Sequence, residues 1–139
     1  MIRTISVLSV FLLTACAGPI PASASRAVAD SIFSSRSPGC LEVDGHDPKA
    51  DLMRAIQATH KRVYPASRCA KAEVMFRTPA GDKTERTELY GWRRLSPWHA
   101  RLQILNDSNF MFGSSGSTIS LKLKNGRWIV SEYSTDSIS

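Results

Sequence analysis

The spacing of apolar residues changes period along the chain, and each period predicts a different element. Between Asp47-Pro48 and Tyr64-Pro65, Leu52, Ile56 and Val63 recur at helical spacing, with Met53, Ala55 and Ala58 widening the stripe. Asp47 is placed to cap this helix, and Pro48 suits its first turn, where no amide partner is lost. Asp51 near the start, and Lys61 and Arg62 near the end, match the helix dipole. Tyr64-Pro65 stops the helix, because a residue before proline disfavours helical geometry.

Beyond Pro65 the period shortens to two. Glu73 to Thr78 reads as a strand, Pro79-Ala80-Gly81-Asp82 as a turn, and Lys83 to Tyr90 as a polar return suited to a sheet edge or to a solvent-facing strand. Gly91 to Pro97 reads as a loop. Trp98 to Leu105 alternates, with Ala100, Leu102 and Ile104 on one face and Arg101 and Gln103 on the other. After the turn at Asn106 to Asn109, Phe110-Met111-Phe112 opens another piece, which Gly113-Ser114-Ser115-Gly116 breaks or bulges. Ile119, Leu121 and Leu123 then alternate up to Asn125-Gly126, the dipeptide of a tight hairpin, and Trp128-Ile129-Val130 runs back. The expectation is an α+β fold, one main amino-terminal helix packed on an antiparallel sheet of about four to six strands. With its closing Gly126-Arg127-Trp128 hairpin, this order is faintly similar to small NTF2-like or cystatin-like domains, and neither family is assigned.

Residues 16–38 lack a sustained period and are rich in Ala, Ser and Pro, so they read as a flexible tether. Ile32 and Phe33 can dock on a domain spanning 39–139, whose edge is Gly39-Cys40-Leu41. Ahead of the tether, an apolar run from Ile5 to Leu13 follows Arg3. It is too short to span a membrane and reads as the core of an export signal.

Leu13-Thr14-Ala15-Cys16 closes that run and resembles the lipobox of bacterial lipoprotein signal peptides. The resemblance covers the first sixteen residues and leaves the folded part unassigned. It implies a signal peptide over 1–15, cleavage between Ala15 and Cys16, diacylglycerol on the Cys16 sulfur and usually an acyl group on the new amino terminus. In a two-membrane cell it further implies the periplasmic face of the outer membrane, because Ala17 stands where an aspartate tends to retain such proteins at the inner one. Ala22-Ser23-Ala24 is a competing small-x-small site that would yield a soluble exported protein.

Removal of 1–15 leaves 124 residues, one domain's worth, and loss of Arg3 takes the formal charge from +6 to +5. That charge suits anionic head groups or wall polymers, or simply a solvated surface. No nucleic-acid motif accompanies it, and no nucleic-acid partner is expected. With Cys16 given to lipid, Cys40 and Cys69 remain as a pair, which an oxidising compartment permits to bond. The alternative is a reactive Cys69 beside Arg68 and Lys71.

Catalytic signatures are absent from the sequence. His46, His60 and His99 have no metal-site spacing, and no serine sits in a nucleophile elbow. No metal site and no cofactor is expected. Tyr90, Trp92, Arg93, Arg94, Trp98 and His99 have the composition of a recognition surface, with the tryptophans filling the core as the alternative. The leading expectation is therefore a non-enzymatic envelope lipoprotein that binds an envelope protein or a cell-wall polymer. A small wall or glycan hydrolase using His99 and Glu88 is one alternative. An apolar-ligand carrier lined by Met53, Phe76, Phe110 and Phe112 is the other.

Overall fold

Residues 17–108 and 114–136 are described by a computed structural model. The lipobox, Phe110, Phe112 and Gly113 lie outside them. The fold is mixed α and β, with two α-helices among the described residues rather than one. α1 spans Ala22–Ile32, within the segment expected to be a tether. Its alanines are strong helix formers, and Ala24, Val28 and Ala29 are fully buried. Small side chains let the helix lie close to the sheet, so composition that resembles a linker here makes a packing face. Phe33 follows and presses on Gly39, where even an added Cβ would come within 2.7 Å of its ring.

β1 (Gly39–Val43) leads through a tight Asp44-Gly45 turn to α2 (Ala50–Thr59), then β2 (Val63–Pro65). Both turn residues have positive φ. α2 is shorter than the sequence predicts. Asp47 does not cap it, because its carboxylate instead accepts hydrogen bonds from the Ser67 amide and hydroxyl. Val63, expected on the helix stripe, is buried in β2 instead. β1 and β2 are parallel neighbours, and α2 makes the crossover that such a pair requires.

Three two-residue strands follow: β3 (Ala70–Lys71), β4 (Phe76–Arg77) and β5 (Lys83–Thr84), which form a small sheet. The strand expected over Glu73 to Thr78 is thus confined to β4. The long strands come next: β6 (Arg86–Ser96), β7 (His99–Asp107), β8 (Ser114–Lys124) and β9 (Arg127–Asp136). Together with β1 and β2 they form a six-stranded sheet in the order β2-β1-β6-β7-β8-β9.

This topology corrects two expectations. β6 is not an edge strand, because β1 lies parallel to its first part and β7 antiparallel to all of it. Gly91 to Ser96 is not a loop but the second half of β6. A bulge at Gly91, which has φ +68°, breaks the alternation there. Leu89 and Trp92 both face the core as a result, three positions apart. The closing hairpin matches the expectation, with Asn125 and Gly126 at φ 52° and 76° joining β8 to β9.

One face of the large sheet carries Leu41, Leu89, Trp92, Leu102, Ile104, Ile119 and Leu121, and packs with α1, Met53 and Ile56 into one core. Each fully buried leucine or isoleucine contributes about 1.5–3 kcal/mol of transfer free energy. The core runs from Ile20 to Trp128, so the chain from Ala17 onward carries its own core. The opposite face is partly covered. There Cys40 is joined to Cys69 by a disulfide, and the Arg86 guanidinium lies 5.5 Å above the Phe76 ring. These contacts hold the small sheet over one end and leave the other open.

Candidate functional site

At the open end the chain reverses from β6 to β7 through Pro97-Trp98. The backbone of this turn is pinned on both sides. The Trp98 amide donates to Ser96 Oγ at 3.2 Å, and the Trp98 carbonyl accepts from the Leu123 amide at 2.8 Å. Its indole nevertheless remains 63% exposed, and Leu95 is 50% exposed. An apolar ring is therefore presented to solvent from a fixed backbone.

The residues expected to form a recognition surface divide into two groups. Trp92 belongs to the core, edge-on to Trp128 with centroids 5.0 Å apart. Arg94 lies 5.5 Å over the same Trp128 ring and donates to the Pro97 carbonyl at 3.1 Å. It braces the turn. Arg93, Trp98 and His99 remain exposed, with Tyr90 partly so. His99 Nδ1 lies 3.2 Å from Ser96 Oγ, within the turn's own network.

The cross-strand register adds two basic residues that sequence reasoning left out. Arg93 is directly opposite Arg101, and His99 is directly opposite Lys122. Arg101 could be placed on the outer face from the alternation of β7, but its partner could not. Like charges directly opposed on one sheet face repel. Among the described residues, none of Arg93, Arg101 and Lys122 makes an ion pair. Glu132 borders the same shallow recess as Leu95, His99, Arg101 and Lys122.

The first described residue reaches the same place. β1 covers only Arg86 to Leu89 of β6, which leaves the edge beyond open. Ala17 forms an antiparallel bridge there with Arg93. The Ile20 amide then donates to Asp44 Oδ2 at 2.9 Å, and the Ile20 side chain is buried. The expected tether is therefore docked on the domain from Ala17 onward.

Other candidates fare differently. Glu88 is opposite Leu105, and that position is separated from His99 by most of β7, about 20 Å at the usual rise. The hydrolase pair is not brought together. Met53 lies in the main core, whereas Phe76 lies under Arg86 outside that cluster, so the expected carrier lining is not assembled by these two. His46 closes the Asp44-Gly45 turn through backbone bonds with Val43. His60 is buried, with Nε2 2.7 Å from Asp30 Oδ1 and Nδ1 3.2 Å from the Ser34 carbonyl. Among the described residues, no group of three or more His, Cys, Asp or Glu is placed to hold a metal, and no helix is long and apolar enough to cross a membrane.

Compared with known proteins, the chain matches no family model, no curated protein and no solved structure.

Proposed function

We propose that the chain is a lipid-anchored protein of the bacterial cell envelope, with a non-enzymatic domain that binds a protein or wall polymer near the membrane. The observation that carries this reading is the lipobox-like Leu13-Thr14-Ala15-Cys16 at the end of a short apolar run. Cys16 is the acylated residue, and the periplasmic face of an outer membrane is the place such a signal favours.

Two features of the domain support the reading. Cleavage after Ala24, the competing site, would cut α1 within its buried face and remove Ile20 and Ala24 from the core. Cleavage before Cys16 leaves every described residue in place. The Cys40–Cys69 disulfide also suits an exported, oxidising location. Arg93, Trp98 and His99, expected from the sequence on a recognition surface, are exposed.

Intact-mass measurement of the chain recovered from bacterial membranes tests the anchor. The expected species begins at Cys16 and carries diacylglycerol, with or without an amino-terminal acyl group, and Cys16→Ala abolishes it. A mature chain beginning at Ser25 without lipid would refute the reading. Affinity capture from envelopes, anchored form against Cys16→Ala, then tests for the partner. Turnover of a wall fragment without a captured partner would favour the hydrolase instead.

A further inference from the structure

The β6–β7 turn, the basic pairs beside it and the start of the described chain converge on one end of the domain. We propose that this end rests on the membrane itself, with Trp98 and Leu95 entering the interface and Arg93, Arg101 and Lys122 meeting anionic lipid head groups. The proposal deepens the lipid-anchor reading and rests on it for orientation.

Three independent observations lead there. The first is the point of attachment. Ala17 pairs with Arg93, and because the bridge is antiparallel its amino-terminal side points toward Arg94 and Leu95. Consecutive Cα atoms are about 3.8 Å apart, so Cys16 can lie no further than one such step from Ala17. Arg93 is only about 10 Å along β6 from the turn at Ser96. A lipid on Cys16 therefore leaves the domain little length with which to stand off, and it brings this end down first.

The second observation is the presentation of Trp98. Its backbone is held at both the amide and the carbonyl while its ring stays exposed. An indole combines an apolar body with a polar N–H, which suits the boundary between head groups and acyl chains. Leu95 adds apolar surface on the preceding strand. The third is charge. Arg93 and Arg101 are opposed like charges with Lys122 on the neighbouring strand, an arrangement that an anionic surface would relieve, and basic residues close to such a surface strengthen attachment. Glu132, which borders the recess, offsets part of this charge. The aromatic and apolar groups at the tip, with cations behind them, match a lipid surface better than a purely anionic polymer.

The test uses the chain from Ala17 to Ser139, which carries the whole described core but no anchor. It is mixed with vesicles of phosphatidylglycerol bearing brominated acyl chains, or with the same vesicles made from phosphatidylcholine. Trp92 and Trp128 are buried, so quenching reports Trp98. Expected results are quenching on the anionic vesicles, its loss in Trp98→Phe, and binding about thirtyfold weaker in Arg93→Ser/Arg101→Ser. Absence of binding to phosphatidylglycerol would overturn the proposal, as would unchanged quenching in Trp98→Phe. Trp98-dependent capture by soluble wall glycan without vesicle binding would overturn it in favour of a polymer. Acylation of Cys16 is read separately by mass, so failure of the anchor and failure of the docking surface are distinguished.

Discussion

His60 Nε2 lies 2.7 Å from Asp30 Oδ1 and so joins the end of α2 to α1. The imidazole is nearly fully buried, while half of the Asp30 side chain faces water. Its other nitrogen meets the Ser34 carbonyl, and Phe33 packs tilted against the ring. Replacing Asp30 leaves a buried ring nitrogen without its partner. Asp30→Ala is expected to cost about 1–3 kcal/mol, measured as a lower urea midpoint with unchanged slope. His60→Ala also removes a packed ring and should cost at least as much. If Asp30→Ala is neutral, this bond does not secure α1.

Arg94 is expected to act on the turn rather than on a partner. Its guanidinium is shared between the Trp128 face and the Pro97 carbonyl. Arg94→Ala should lose about 1–2 kcal/mol from the cation–π contact and hydrogen bond together. Tryptophan emission would shift as the Trp128 cover is lost. Arg93→Ala, one residue away on the opposite face, should leave stability within about 0.5 kcal/mol. Equal effects of the two substitutions would contradict the division between them.

The Cys40–Cys69 bond closes a loop with a sequence separation of 29 residues. Cys40→Ser/Cys69→Ser is expected to cost about 3–4 kcal/mol in the chain-entropy account. Intact mass before and after reduction checks the bond directly, by the gain of two hydrogens. The small sheet should loosen first, read as faster amide exchange at β3 to β5 than in the large sheet.

Asp82 and Arg62 form a bidentate ion pair near the small sheet. The hydrogen bond from Arg62 holds the Asp82 carboxyl below the usual carboxylate range, with help from their charge attraction and the Thr78 hydroxyl. A carboxyl depressed in the folded state adds stability above its unfolded pKa. That stability is lost as pH falls through the lower, folded value. Melting temperature should therefore drop less on acidification in Asp82→Asn than in the unsubstituted chain. An identical acid dependence would show that the pair contributes nothing measurable, as many exposed pairs do.

Several elements were legible because their signals are local. Asn125-Gly126 fixes the hairpin by its backbone preference, and Ala100, Leu102 and Ile104 mark the inner face of β7. The cysteine pair followed from counting. What escaped depends on contacts distant in sequence. α1 is hidden in Ala- and Ser-rich composition until a sheet is there to receive it. Asp47 has a capping residue's place but finds Ser67 instead. The reading of Gly91 to Pro97 as a loop failed because one bulge shifts the period of β6. In the candidate surface, Trp98 and Arg93 were named from composition. Arg101 and Lys122 required the register between strands, and the approach of Ala17 to Arg93 spans most of the domain's sequence.

The position of α1 against β9 carries a further consequence. α1 and β9 lie near opposite ends of the described residues and yet pack together. Emerging from its amino terminus, such a chain lacks part of the surface on which α1 packs until Arg127 to Asp136 has followed. A contact of such long range carries a higher loop-closure cost than the hairpins β6–β7, β7–β8 and β8–β9. A chain cut short before β9 should expose the apolar side of α1, so quality control that detects exposed apolar helices would remove incomplete copies.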